Sequence, residues 1–211
     1  MSKHLELLIT RYPDLEPCLQ DIEHAFGLWR SSYANGNKTL VCGNGGSAAD
    51  AEHIVGELMK GFLLQRPVSG SFADKAFDTF GEEGRYIASH LQGALPAISL
   101  TSQQSLLTAF GNDVAFDMVY AQQVYGYGRA GDVLIALSTS GNAPSMIRAV
   151  PVARLQSMIS IGFTGKSGGK MLDVCDVTIR VPDEETYRIQ ERHIAIYHTL
   201  CIMLEEAFFE R

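Results

Sequence analysis

Positive charge is in short supply in this chain: seventeen Lys and Arg stand against twenty-four Asp and Glu, a net charge of -7 with histidine neutral. A chain with that balance does not draw itself toward nucleic acid or anionic lipid, so neither direct nucleic-acid binding nor a membrane partner is expected. Long hydrophobic runs are missing too, none approaching the roughly 20 residues that cross a bilayer. The first dozen residues carry Lys3, His4, Glu6 and Arg11 where an export signal is apolar, and a cytoplasmic location is expected. Cysteine is sparse. Cys18, Cys42, Cys175 and Cys201 lie far apart without a CxxC pair, which argues against a disulfide framework or a zinc-thiolate site. Two familiar nucleotide motifs are absent as well. The first Gly-rich loop is not GxGxxG, and Gly165-Lys166-Ser167 has Ser160 where a Walker A loop has its earlier glycine, so neither a dinucleotide nor a nucleoside triphosphate is indicated.

What the chain does have is an alternating pattern. Its 211 residues, 46% of them hydrophobic, suit one domain with a single core. Residues 14–33 place Leu15, Cys18, Ile22, Phe26, Trp29 and Tyr33 at helical spacing, ended by Asn35-Gly36, so an N-terminal helical region precedes the sheet. A short apolar strand followed by a Gly, Ser or Thr loop and a helical segment then recurs: residues 39–42 with the loop 43–47, residues 133–137 with the loop 138–142, and residues 158–163 with the loop 164–169. Residues 96–100 and 177–181 read as further strands, residues 114–128 as a helix, and residues 188–209 as a closing helix. Strands alternating with helices predict an α/β fold, a doubly wound parallel sheet flanked by helices. Residues 62–95 interrupt the pattern as an insertion, with one short helix expected around 82–90. Their apolar content, including Phe62, Phe72, Phe77, Phe80 and Tyr86, predicts a segment that covers the active-site mouth or packs on a neighbouring subunit.

In such a sheet, ligands bind beyond the carboxyl ends of the strands, where loop N–H groups and helix N-termini favour anions. Ser47, Ser138, Thr139 and Ser140 add hydroxyls to two equivalent loops, a set suited to a phosphate monoester such as a sugar phosphate. On the helix after the first loop, His53 and Glu57 are four residues apart and share a face, an arrangement for proton transfer or metal ligation and equally for a solvated pair. The closing helix offers Gln190, Glu191, His193 and His198. At 100° per residue His198 lies about 20° from Glu191 and about 80° from Gln190, so spacing alone pairs His198 with Glu191.

These motifs together, Cys42-Gly43-Asn44-Gly45-Gly46-Ser47, His53 with Glu57, Gly111-Asn112-Asp113, Ser138-Thr139-Ser140-Gly141-Asn142, Thr164-Gly165-Lys166 and Arg188-Ile189-Gln190-Glu191, resemble the SIS (sugar isomerase) domain family. Within it the likeness is to the bacterial phosphoheptose isomerases. The resemblance implies a flavodoxin-like sheet and an aldose-ketose isomerase that converts sedoheptulose 7-phosphate to a heptose 7-phosphate, working as a homotetramer with sites at subunit contacts. It implies Glu57 as catalytic base and His198 as catalytic acid. His53, Glu57, Gln190 and His198 match the residues that hold zinc in some members, and here the resemblance selects Gln190 over Glu191. Asn44, Ser47, Asp113, Ser138, Thr139, Ser140 and Gln190 match substrate contacts. The chain departs from the pattern at Ala143, where a further phosphate serine is common and Ser145 stands nearby, and at Gly61, where an arginine is common and Lys60 is adjacent. Alternatives within reach of the same sequence are a non-catalytic member that binds the replication initiator, a sugar-phosphate sensor, and an isomerase of another ketose phosphate.

Overall fold

The computed structural model describes residues 2–209. Among them five strands, β1 (Thr39–Gly43), β2 (Ala97–Ser99), β3 (Val133–Leu137), β4 (Ile159–Thr164) and β5 (Val177–Arg180), form one sheet in the order β2-β1-β3-β4-β5. Every pairing is parallel, with Val41 opposite Ile135 and Ile135 opposite Ile161. Side chains alternate between faces, as period 2 demands. Val41, Val133, Ile135, Leu137, Ile161 and Phe163 enter one apolar cluster, while Leu40, Cys42, Leu134 and Ala136 enter a second on the opposite face. The predicted doubly wound fold is thus formed, each strand ending within about two residues of its expected bounds.

The first face is covered by α1 (Lys3–Arg11), α2 (Leu19–Ala34), α3 (Gly46–Met59) and α10 (Thr186–Phe209), and the second by α7 (Val119–Tyr127) and α8 (Pro144–Leu155). The helix expected over residues 14–33 is split. Pro13 and Pro17 lack the N–H that an α-helical ladder needs, and Pro13–Cys18 winds as a 3-10 turn before α2 begins. Similarly, the helix expected over 114–128 begins only at Val119, because Gly111–Ala115 is a π turn and Phe116–Met118 a 3-10 turn. Two short helices, α6 (Gln104–Phe110) and α9 (Met171–Val174), are further elements that periodicity over so few residues does not reveal. None of the described helices is long and apolar enough to cross a membrane. All four cysteines are free, with Cys18, Cys42 and Cys201 buried as packing residues.

Residues 62–95 hold two helices rather than one: α4 (Gly70–Phe80), capped by the Ser69 hydroxyl, and α5 (Glu82–His90). They turn on Gly81, whose φ of +59° suits a residue without a Cβ. The pair packs chiefly on itself and α4 buries no side chain, leaving Phe72, Phe77, Phe80 and Tyr86 exposed. The base of the segment is different. Pro67 bridges Gln92, and Phe62 sits with its ring 5.5 Å from that of His198.

That base is held by a fully buried ion pair. Glu205 on α10 accepts from the backbone N–H groups of Phe62 (2.7 Å), Leu63 (2.7 Å) and Leu64 (3.1 Å) and from Arg66 Nε (2.7 Å). Arg66 Nη1 and Nη2 each donate to a carbonyl near the end of α3, Leu58 at 2.8 Å and Glu57 at 3.0 Å, and the guanidinium lies 4.7 Å from the centre of the Phe209 ring. Both side chains have 0% exposure, so loss of either partner strands a charge away from water.

Two outcomes follow from this architecture. Arg66→Met and Glu205→Gln are each expected to lower unfolding free energy by about 3–5 kcal/mol, and the double variant by less than the sum. Urea denaturation measures this, and single variants within about 1 kcal/mol of the parent would show that the pair does not hold the fold. By contrast, replacing residues 70–90 with a short Gly-Ser linker should leave the far-UV signal of the sheet and the thermal midpoint of the remaining chain nearly unchanged, since α4 buries nothing. A collapse of the thermal transition would place the hairpin in the core.

Candidate active site

The chain leaves β1 for the edge strand β2 and returns to β3 on the other side, so β1 and β3 flank the point where strand order reverses. Loops diverge there and open a crevice. Both Gly/Ser loops sit at it, residues 44–45 after β1 and 138–142 after β3. They are joined across the crevice by Asn44 Nδ2, which donates to Ser145 Oγ at 2.9 Å. Gly141, at φ +65°, has no room for a Cβ against the Gly168 backbone, which is why that turn takes glycine. Ser47 and Ser138 are buried, and Ser138 Oγ accepts weakly from the Ala143 N–H at 3.4 Å. Ser140 Oγ accepts from the Asn142 N–H at 3.2 Å. Thr139, Ser140, Asn142, Lys166, Asp183 and Glu184 line an open groove of about 510 Å³.

Two parallel helices carry the second part of the site. α3 starts at the first loop, and α10 runs beside it in the same direction. Glu57 Oε1 lies 3.1 Å from His53 Nε2, and His198 Nε2 reaches the same nitrogen at 3.3 Å. Lys60 donates to Glu57 Oε2 at 3.2 Å. Behind them the buried Tyr197 hydroxyl donates to Asp50 Oδ1 at 3.2 Å and stands 3.0 Å from His53 Nδ1. Burial pushes the His198 pKa down, reinforced by the neighbouring His53 and opposed by Glu57. Burial raises Asp50, against the Tyr197 hydrogen bond. His198 also opens on a second groove of about 360 Å³, lined among others by Tyr12, Phe62 and Ile194. A carboxylate, two imidazoles and an ammonium are therefore gathered at one end of α3, with hydroxyls and backbone N–H groups at the other. This is a layout for moving protons on a substrate whose anionic end is held elsewhere.

Of the residues expected from sequence, His53, Glu57 and His198 meet, while Asn44 and Ser47 lie at the loop after β1 and Ser138, Thr139 and Ser140 in the loop after β3. Gln190 does not join the cluster. Its amide lies against Gly46, 2.5 Å from where a Cβ would stand, in the first turn of α3. The physical reason is helix rise: Gln190 is eight residues before His198, about 12 Å along α10. Glu191, the choice of helical spacing, is exposed. Asp113 is likewise apart, exposed in the π turn, where Asn112 Nδ2 donates to it at 2.9 Å. The donors are of zinc's kind. Yet with Gln190 at the loop, and no group of three or more His, Cys, Asp or Glu among the described residues arranged to hold a metal, the set does not fit zinc as it stands. Sequence reading missed Tyr197 and Asp50 as site partners and Arg66 with Glu205 beneath Glu57. Asp50 was within reach, sharing the His53 face at three residues' spacing; the others have no local signature.

The chain matches the family model described as SIS domain over residues 15–78 and 73–165. It is 42% identical over 193 residues to the phosphoheptose isomerase of Rhodospirillum rubrum, covering 92% of this chain and 89% of that one. The solved phosphoheptose isomerase from Neisseria gonorrhoeae superposes with a TM-score of 0.75 at 35% identity, covering 96% of this chain and 95% of the other. A phosphoheptose isomerase from Francisella tularensis gives 0.73 at 28% identity, covering 98% and 100%. With its strand order, its paired Gly/Ser loops and these matches across nearly its whole length, the chain belongs to the SIS domain family.

Proposed function

We propose that the protein is a sugar-phosphate aldose-ketose isomerase that interconverts sedoheptulose 7-phosphate and a heptose 7-phosphate. The observation that carries the reading is the meeting of Glu57, His53 and His198 at 3.1 and 3.3 Å, the first two on α3, which begins at the first Gly/Ser loop, and the third on α10 beside it. The similarity to phosphoheptose isomerases supports the seven-carbon sugar. Moving a carbonyl between C2 and C1 takes a base that lifts a proton from C1 and returns it to C2, through a cis-enediol, while an acid attends the oxygens. Glu57 is the base. His198, kept neutral by burial, is the acid, offering a ring N–H to the oxygen on which charge develops. Ser47, Ser138, Thr139 and Ser140 hold the phosphate, with Asn44 and Gln190 beside them, so that binding energy at the remote end orients the reacting carbons.

The loop groove and the groove at His198 are separate on a single chain, and Asp113 faces neither. This supports a homotetramer in which a neighbouring subunit completes each site, and exposed Leu7 and Ile194 offer apolar surface for such contacts. A cytoplasmic location is part of the same reading.

Glu57→Gln is expected to lower turnover by about a hundredfold or more while sugar-phosphate binding stays within a few-fold, because the amide keeps the shape and loses the base. His198→Asn should follow the same pattern. In deuterated water, sedoheptulose 7-phosphate should exchange its C1 hydrogen faster than five- and six-carbon ketose phosphates. Exchange with none of them would overturn the enzymatic reading, and exchange led by a shorter sugar would reassign the substrate.

Zinc at His53, Glu57, Gln190 and His198 is a separate proposal, and no step above is routed through it. Uptake would require the Gln190 amide to leave Gly46. Zinc titrated into chelator-treated protein is expected to bind the parent more tightly than His53→Ala. Equal binding by calorimetry would put the metal elsewhere.

A further inference from the structure

In the loop after β3 the carbonyls are all engaged and two of the N–H groups are not. Ser138 O accepts from the Gly141 N–H at 2.9 Å, Thr139 O from the Gly165 N–H at 2.8 Å, Ser140 O from Asn142 Nδ2 at 3.0 Å and Gly141 O from the Met171 N–H at 3.1 Å. Among the described residues, the N–H groups of Thr139 and Ser140 have no hydrogen-bond partner. A trans peptide points its C=O and its N–H in opposite directions, so a tied carbonyl aims the N–H of the next residue the other way. The engaged Ser138 and Thr139 carbonyls therefore present the Thr139 and Ser140 N–H groups as successive free donors, the feature that takes an anion.

Asn142 closes this arrangement from both ends of its amide. Nδ2 holds the Ser140 carbonyl and so sets the Ser140–Gly141 peptide, whose N–H in turn holds Ser138 O. Oδ1 accepts the Lys170 N–H at 3.0 Å, which staples the loop to the one after β4. The two loops meet backbone to backbone. A Cβ on Gly141 would stand 1.9 Å from Gly168 O, and one on Gly169 would stand 2.5 Å from Ser140 O and 2.7 Å from Asn142 Nδ2. Asn142 is exposed and fills no core, so its hydrogen bonds order a loop rather than hold the domain.

We propose that Asn142 is a positioning residue for the substrate phosphate: by stapling the loop after β3 to the loop after β4, it fixes the peptides whose N–H groups, at Thr139 and Ser140, take the anion. Asn142 acts through those peptides and not by touching the phosphate. The kinetic consequence rests on the isomerase reading; the aim of the N–H groups does not.

Asn142→Leu keeps nearly the same shape and removes both hydrogen bonds. KM for sedoheptulose 7-phosphate is expected to rise about tenfold with kcat within about threefold, the pattern of binding lost away from the reacting carbons. Inorganic phosphate titrated into 15N-labelled protein should shift the Thr139 and Ser140 amide signals in the parent, and its Kd should be about tenfold weaker in the variant. The thermal midpoint, which a merely structural role would move, should stay within about 2 °C of the parent. Gly169→Ala, whose methyl would press on the same carbonyl and amide, should raise KM in the same direction; should Asn142→Leu not fold, Asn142→Ala is read in its place. Thr139 and Ser140 signals that do not respond to phosphate in the parent, or an unchanged KM and phosphate Kd in the variant, overturn the proposal. Absence of turnover by the parent with every ketose phosphate overturns the isomerase reading instead, and the phosphate titration still decides the role of Asn142.

Discussion

The Arg66–Glu205 pair is the constraint on which the chemical end of the molecule depends. Two charges removed from water are tolerable only if nearly every donor and acceptor is matched. Here Glu205 takes three backbone N–H groups and one guanidinium N–H, while Arg66 Nη1 and Nη2 each close on a terminal carbonyl of α3. Burial pushes the Glu205 carboxyl up, but the N–H groups of Phe62 and Leu63 and the Arg66 charge outweigh it and hold the pKa below its ordinary value. Stability from this group is therefore present above the ordinary glutamate range and lost as pH falls. The structural result is a fixed last turn of α3. Glu57 projects from a backbone whose own carbonyl is tied down, and the chain leaving the helix is bent back so that Phe62 lies beside His198.

From that anchor, the relation of α3 to α10 can be followed as a set of rungs. Gln190 meets Gly46, Tyr197 meets Asp50, His198 meets His53, and Glu205 reaches the end of α3 through Arg66. Residue numbers increase together on both helices, so the contacts advance from the Gly/Ser loops to the carboxylate cluster. Parallel helices packed in this way set the loop hydroxyls and the titratable cluster apart along one axis. The crevice at the reversal of strand order supplies the loop end of that axis, and the ion pair fixes the other.

The parts of this arrangement legible in the sequence are those with a local cause. Short apolar runs marked all five strands, glycines and hydroxyl residues marked the loops, and helical spacing put His53 beside Glu57. Non-local pairings left no such mark. Arg66 and Glu205 are 139 residues apart, and Tyr197 reaches His53 from 144 residues away. Proline chemistry was visible at Pro13 and Pro17, yet the apolar spacing across them still read as one helix, because periodicity records which face is buried and not which hydrogen bonds close. For Gln190, position along the axis counted for more than angle around it.

The histidines of α10 show why environment, and not residue type, assigns the roles. His193 is wholly enclosed, with Nε2 at 3.2 Å from the Thr164 carbonyl and Nδ1 without a partner. Burial pushes its pKa down to about 4 against the opposing pull of that carbonyl, so it remains neutral and serves as packing against Phe163. His198, five residues on, is only half-buried, and its ring nitrogen faces another imidazole beside a carboxylate. The same side chain on the same helix is thus a core spacer where its neighbours are a backbone carbonyl and a phenyl ring. Where they are His53, Glu57 and an open groove, it is a half-buried ring within reach of a bound molecule.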